Sequence, residues 1–219
     1  MAYRLRDNLG ACVAGGRAVF LDLDADRYFG LPAAADKAFQ QWLTGQDPEP
    51  EQLDVLVSRG LLLLCGQGST PPSRASFSLP AAGRETRPKG RVTAIRFVHI
   101  FLARLYWSFA LKLRSLAAIR RVLEAKRPKR ESSAGPHDPR YDDIATSFEK
   151  TEAIMRTHDR CLSDSLAFLS ICYASGLSPR LVFGVRTTPF AAHCWVQVDD
   201  LVLNDRLEHV RLFTPILVI

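Results

Sequence analysis

Residues 161–198 read CLSDSLAFLSICYASGLSPRLVFGVRTTPFAAHCWVQV, and the spacing of their apolar residues changes once. From Cys161 to Ala174, Leu162, Leu166, Leu169 and Tyr173 recur at intervals of three and four with Ser165 on the same side, which predicts a helix. Gly176 can stop it, and Pro179 follows. The pattern then becomes strand-like over 180–185, 194–198, 201–203 and 216–219, with Asp199-Asp200 where a tight hairpin turn belongs. Upstream, Ile144, Phe148 and Met155 predict a leading helix. Helices first and an antiparallel sheet after them define an α+β domain over residues 141–219.

Working back to the start, residues 1–64 form a second block. An apolar run over 11–14, the turn Gly15-Gly16 and a second run over 18–23 predict a hairpin, because both glycines can take positive φ. After the polar turn Asp24-Ala25-Asp26, residues 27–31 read as a third strand. Helical spacing follows over about 34–43, and a second helix opens at Pro50 with Leu53, Leu56, Val57 and Leu61 on one face. The run 61–64 predicts a closing strand. Residues 65–91 are punctuated by Gly and Pro and read as a flexible linker. Residues 92–140 read as a basic helical connector, helical over 92–126 with Val98, Phe101, Leu102, Leu105, Phe109, Leu113, Leu116 and Ile119 as the apolar stripe and Lys112 within it.

Of 219 residues, 47% are apolar and 24% charged, which excludes a disordered or collagen-like chain. No uninterrupted apolar run reaches the ~18 residues of a conventional membrane span. The N-terminus lacks an apolar signal core. Five irregularly spaced cysteines (Cys12, Cys65, Cys161, Cys172, Cys194) argue against a disulfide framework and for a reducing, cytoplasmic setting. The net charge of +6 is uneven: residues 1–80 carry −2, 81–140 carry +11 and 141–219 carry −3. All the excess is on the connector rather than on a folded recognition module, so nucleic acid is not the expected partner. Core packing is the ordinary role for such helices. Their surplus of large aromatics leaves contact with a partner or with a membrane surface as the alternative.

The chemistry concentrates in the last block. Cys161 opens a helix, where the helix dipole and unpaired N–H groups favour thiolate and its own backbone N–H is a candidate oxyanion donor. His193 stands at the start of a strand, and Asp205 lies about as far beyond the Asp199-Asp200 turn as His193 lies before it. Facing across that hairpin, carboxylate and imidazole are within hydrogen-bond reach, leaving the other ring nitrogen for the thiol. Each residue alone has an ordinary explanation as core cysteine, satisfied histidine or turn aspartate; their joint register does not. Cys172 reads as core, and Asp159 as a helix cap beside an unassigned His158. A metal centre is disfavoured, because His193 and Cys194 point to opposite faces of a strand and no paired ligand motif occurs. Neither standard phosphate-cradling glycine loop is present, and no cofactor is expected.

Cys161-Leu162-Ser163-Asp164-Ser165, Gly184-Val185, Pro189-Phe190-Ala191-Ala192-His193-Cys194-Trp195-Val196, Asn204-Asp205 and Phe213-Thr214-Pro215-Ile216 resemble the leader peptidases of lasso-peptide biosynthesis, a family similar to transglutaminase-like cysteine proteases. The resemblance implies a Cys161–His193–Asp205 triad in a transglutaminase-like (papain-like) domain that cuts a leader from its core peptide. It implies a lasso precursor as substrate and a separate ATP-dependent, asparagine-synthetase-like cyclase as partner. It also implies that residues 1–64 are a winged-helix-like recognition domain whose third strand takes up the leader by β-augmentation. Arg27, Tyr28, Phe29 and Leu31 on that strand, with Leu53, Leu56 and Val57 on the following helix, are the implied leader contacts. An acyltransferase or amidase on the same framework, and a non-catalytic leader-binding scaffold, are the rival readings.

Overall fold

The computed structural model describes residues 2–46, 48–65, 78–84, 90–129, 135–152 and 160–219. Met155, His158 and Asp159 lie outside the described residues. The architecture mixes helix and strand, with the helices ahead of the larger sheet.

Strands β2 (Leu9–Ala14), β3 (Arg17–Asp22) and β4 (Arg27–Gly30) form an antiparallel sheet in that order. The β2–β3 turn places Gly15 and Gly16 at φ 56° and 76°, as a two-residue hairpin of this hand requires. Helices α1 (Ala33–Leu43) and α2 (Pro50–Ser58) follow, and β5 (Leu62–Cys65) pairs antiparallel with β1 (Ala2–Leu5). On β3 the faces separate with period two. Ala18 and Phe20 join Phe39, Trp42 and Leu56 in a small N-terminal core, whereas Val19 and Leu21 belong to the main core. The unbroken apolar run of β3 follows from burial on both sides.

The larger sheet has the order β10-β7-β8-β9-β6, built from β7 (Arg180–Thr187), β8 (Phe190–Val198), β9 (Leu201–Val202), β10 (Thr214–Val218) and the short β6 (Ala82–Gly83). Helix α6 (Cys161–Ala174) packs on this sheet, with α3 (Ala94–Leu113), α4 (Leu116–Lys126) and α5 (Pro139–Glu152) around it. The four-residue α7 (Leu207–Val210) precedes β10. Gly184, paired with His193, sits where a Cβ would come within 2.7 Å of the Trp195 ring and 2.9 Å of Phe213, so only glycine lets these aromatics close in beside the histidine.

Three sequence expectations need correction. The described residues of 92–140 take the core-packing role expected of the helices and do not form the connector that the domain division assigned to them. Ile100, Trp107, Ala117, Ile119 and Leu123 are buried in the same core as α6 and the sheet, and Trp107 Nε1 donates to Ser170 Oγ at 3.1 Å. The stripe expected to be core is also the wrong face. Val98, Phe101, Leu102, Leu105, Phe109 and Leu113 are exposed, while Ile100, Arg104, Trp107 and Ala110 turn inward. The end of the 65–91 linker is likewise structural. β6 adds to the sheet parallel to β9, and the buried Arg84 guanidinium donates to Asp142 and Glu149 on α5, at 2.9 Å each.

Residues 1–64 are not separately tethered. A Cβ on Gly10 would lie 2.8 Å from the Ile216 carbonyl oxygen of β10, and Asp26 accepts from the Leu116 backbone N–H at 2.7 Å.

A fragment covering 141–219 alone should therefore fail to fold. It lacks the fully buried Ile100, Trp107, Ile119 and Leu123, worth about 6–12 kcal/mol of burial, which is comparable to a domain's whole stability of ~5–15 kcal/mol. Near-ultraviolet circular dichroism should show no fixed aromatic environment; a cooperative thermal transition in the fragment would refute the dependence.

Candidate active site

Helix α6 begins at Cys161 with no side-chain cap on its N-terminal backbone groups, so the thiol stands at the positive end of the helix. Strand β8 carries His193, and the chain returns through the turn at Asp199, whose φ is 49°. Its return is shorter than the sequence suggests. Only Leu201 and Val202 pair as strand, Leu203 N donates to Val196 O at 2.9 Å, and the chain then bends away. Asp205 reaches His193 from that bend: Nε2–H of the imidazole donates to Oδ2 of the carboxylate. The ring's other nitrogen is not engaged by the carboxylate, and Cys161 lines the same cleft as His193. All three residues expected from the sequence thus meet at one cleft of about 580 Å³, a volume suited to a peptide segment or small ligand.

The bend is held by Asn204, a residue the sequence reading noted only as part of a motif. Its Oδ1 accepts from the Val196 backbone N–H at 2.7 Å, and its Nδ2 donates to Ser165 Oγ at 2.9 Å. Ser165 in turn donates to the Cys194 carbonyl at 3.2 Å. One amide therefore ties the nucleophile's helix to the histidine's strand, next to the aspartate. His209 was missed altogether. On α7, four residues beyond Asp205, its Nδ1–H donates to the same Oδ2 at 3.0 Å, and its ring lies 4.6 Å from that of His193. The pattern Asp-x-x-x-His across a helix start was the available signal.

Electrostatics set the protonation states. The largest influence on Cys161 is a hydrogen bond from the Cys194 thiol, which lowers its pKa. Desolvation opposes this, and the hydrogen bond and charge of His193 lower it further, leaving it well below an ordinary thiol. Burial pulls His193 down, but the hydrogen bonds to Asp205 and Cys161 outweigh it and raise the imidazole to about 9. For Asp205, burial pushes upward and is overcome by hydrogen bonds from His193, the Arg206 backbone and His209, so it stays below the usual carboxylate range. Cys194 itself is held well above an ordinary thiol, first by its hydrogen bond to Cys161 and then by burial. The resting site is a thiolate–imidazolium pair beside a carboxylate. His193, Asp205 and His209 place their ligand atoms within 4.8 Å of one another and could gather a metal ion, but here both imidazoles donate to the carboxylate they share.

The implied leader contacts divide. β4 pairs only with β3, so its outer edge is open among the described residues. Arg27 is exposed and lies over the Phe29 ring at 5.7 Å; Phe29 is half-buried and stacks on Phe20. Half-buried Tyr28 packs edge-on against Phe190 of β8. Val57 is half-buried. Leu31, Leu53 and Leu56, at 4%, 9% and 0% exposure, are core residues and are corrected as direct contacts. Their apolar spacing was real, but it faces inward.

A profile of the transglutaminase-like superfamily matches residues 103–218. The chain belongs to that superfamily, and the match begins within α3, in keeping with that helix's place in the core. The chain is also similar to the microcin J25-processing protein McjB of Escherichia coli, 44% identical over 45 residues. That match takes in 20% of this chain and 22% of McjB, so the chain spans about a fifth of the length of the relative it matches. No solved structure matches.

Two measurements test the site. Because the Cys161 thiolate survives far below ordinary thiol pKa values, iodoacetamide should alkylate it at about pH 6 nearly as fast as at about pH 8, whereas an ordinary thiol slows by roughly 80-fold. Above about 9 the imidazolium loses its proton and the pair is lost. Mass-spectrometric mapping showing ordinary thiol behaviour at Cys161 would remove the pair. Separately, Asn204→Ala should cost about 1–3 kcal/mol by leaving the Val196 N–H unpaired and removing the donor to the Ser165 hydroxyl oxygen, read as a lowered melting temperature.

Proposed function

We propose that this protein is a cysteine peptidase that binds the leader of a ribosomally made lasso precursor and cuts it from the core peptide. The observation that carries the reading is the Cys161 thiol at a helix N-terminus in the same peptide-sized cleft as His193, which Asp205 holds through Nε2. The similarity to a protein named for processing microcin J25 supports the substrate class.

The Cys161 thiolate attacks the scissile carbonyl, and the carbon–sulfur bond forms as the carbonyl electrons move to oxygen. The Cys161 backbone N–H, free at the first helical position, is placed to receive that oxyanion. When the tetrahedral intermediate collapses, the carbon–nitrogen bond breaks and the His193 imidazolium gives its proton to the leaving amine of the core. The resulting thioester holds the leader. Neutral His193 then takes a proton from water, hydroxide attacks the thioester, and the leader departs as a free carboxylate while the thiolate–imidazolium pair is restored. Asp205 keeps the ring oriented throughout and His209 keeps Asp205 in place. The freed core amine passes to an ATP-dependent cyclase, a partner expected to share a cytoplasmic setting.

Leader recognition is proposed at the open edge of β4, where main-chain pairing supplies affinity and Arg27, Phe29 and Val57 supply side-chain contacts. Tyr28 connects this edge to the chemistry. Its ring packs edge-on against Phe190, three residues before His193 on β8, which brings the edge strand against the strand of the histidine. The small sheet, α1 and α2 are read here as the recognition module of winged-helix type.

Incubation with a leader–core precursor, followed by mass spectrometry, should give a leader ending in a free carboxylate. Cys161→Ala and His193→Ala should abolish cleavage, and Asp205→Asn should slow it about 10²–10⁴-fold. Arg27→Glu combined with Val57→Asp should raise KM with little change in kcat. Undiminished cleavage by Cys161→Ala would end the peptidase reading, and transfer of the leader to an amine would replace it with the acyltransferase.

A further inference from the structure

Helix α3 has two unlike faces. Ile100, Trp107 and Ala110 turn into the core with Arg104, which pairs with Asp164 of α6 at 3.2 Å. On the opposite side, Ile95, Val98, Leu102, Leu105, Phe109 and Leu113 succeed one another at intervals of three and four, forming a stripe about 27 Å long. Every member is exposed, from 37% at Leu105 to 82% at Leu113. Phe101 and Tyr106 widen the stripe, so eight of the thirteen large exposed hydrophobics among the described residues lie on this one helix. Scattered apolar side chains are normal on a surface; a continuous stripe marks a contact.

The stretch carries an excess of cations, part of it paired across the fold: Arg96 faces Asp143, the buried Arg104 faces Asp164 and Arg120 faces Glu124, while Arg91, Lys112, Arg114 and Lys126 are exposed. Residues 90–123 contain seven Arg and Lys and no Asp or Glu. Lys112 lies 5.9 Å from the Phe109 ring centre, and Lys126 of α4 lies 5.6 Å from that of Tyr106. Exposed Arg91 and Arg114 stand just beyond the two ends of the helix.

We propose that the outer face of α3 docks on an anionic lipid bilayer, with the helix lying in the plane of the interface. A membrane surface accepts an apolar stripe without shape complementarity, and each flanking cation adds about 1 kcal/mol near anionic headgroups. A protein partner is the poorer fit, because protein interfaces deplete lysine and surround an apolar centre with a mixed polar rim. The helix is long and apolar enough to cross a membrane by length and composition alone. Crossing would pull Ile100, Trp107 and Ala110 out of the core and break the Trp107–Ser170 hydrogen bond, so the helix lies on the bilayer and does not pass through it. Docked in this way, α3 keeps its inner face on α6 and the enzyme stays assembled.

Flotation of the full chain with vesicles tests this. Wild type should float with phosphatidylcholine vesicles enriched in phosphatidylglycerol, several-fold less at high salt, and far less with phosphatidylcholine alone. Leu102→Glu combined with Phe109→Glu should reduce flotation by at least about tenfold with the melting temperature and Cys161 alkylation rate unchanged. Lys112→Glu combined with Lys126→Glu, both at exposed positions, should also lower flotation, and it decides the matter if the first variant unfolds. Absence of wild-type flotation at low salt, or flotation unaffected by the charge-reversal variant, overturns the proposal. So does a face that self-associates or binds the cyclase in solution but leaves vesicles untouched.

Discussion

Helix α6 is apolar on nearly every side, and most of the structure follows from covering it. Ser163, Ser165, Leu166, Ala167, Phe168, Leu169, Cys172 and Tyr173 are all buried, so the sheet on one flank does not suffice. Helices α3 and α5 complete the enclosure, with Phe148 of α5 packed against Phe168. Arg84 then pins α5 to the short β6 through two carboxylates, which anchors the end of a glycine- and proline-rich segment. A thiol at the tip of so enclosed a helix has little freedom to drift, and a fixed position is what a near-attack geometry requires.

The site keeps its polar chemistry at the rim of that core. The Cys194 thiol, the His193 imidazole and the helix end all favour the ionised form of Cys161 there, against its desolvation. The geometry is maintained by groups that touch no reacting atom. Asn204 spans α6 and β8, His209 steadies the carboxylate, and Gly184 admits the aromatic wall behind the histidine. Of these only Asn204 and Gly184 lay within motifs that drew notice from sequence, and neither role was visible there.

What was legible was local. The start of α6, the β7–β8–β9 order and the meeting of Cys161, His193 and Asp205 at one cleft were readable because period and motif agreed over short stretches. β1 escaped because Ala2-Tyr3-Arg4-Leu5 is short, flanked by charge and paired with a strand some sixty residues away. Residues 82–84 looked solvated because a buried arginine with two carboxylate partners is indistinguishable in sequence from a surface one. For α3, apolar residues occupy both faces, so periodicity could not say which was inside; Trp107 and Ile100 won by reaching α6. Leu31, Leu53 and Leu56 failed as contacts for the same reason, since a core leucine and a binding leucine share one pattern.

Strand β3 gives alternate side chains to two cores, and this bears on how such a protein can be recombined. An exchange of the N-terminal block between relatives cannot be joined simply at residue 64. Val19 and Leu21 leave with that block, yet they are packed in the main core, and β10 must accept the incoming β2 as closely as Ile216 now accepts Gly10. A workable chimera carries the inner face of its sheet and its β10 contact as one inherited unit. Substitutions are then easiest on the outer edge of β4, the part of the block that meets the main core only at Tyr28.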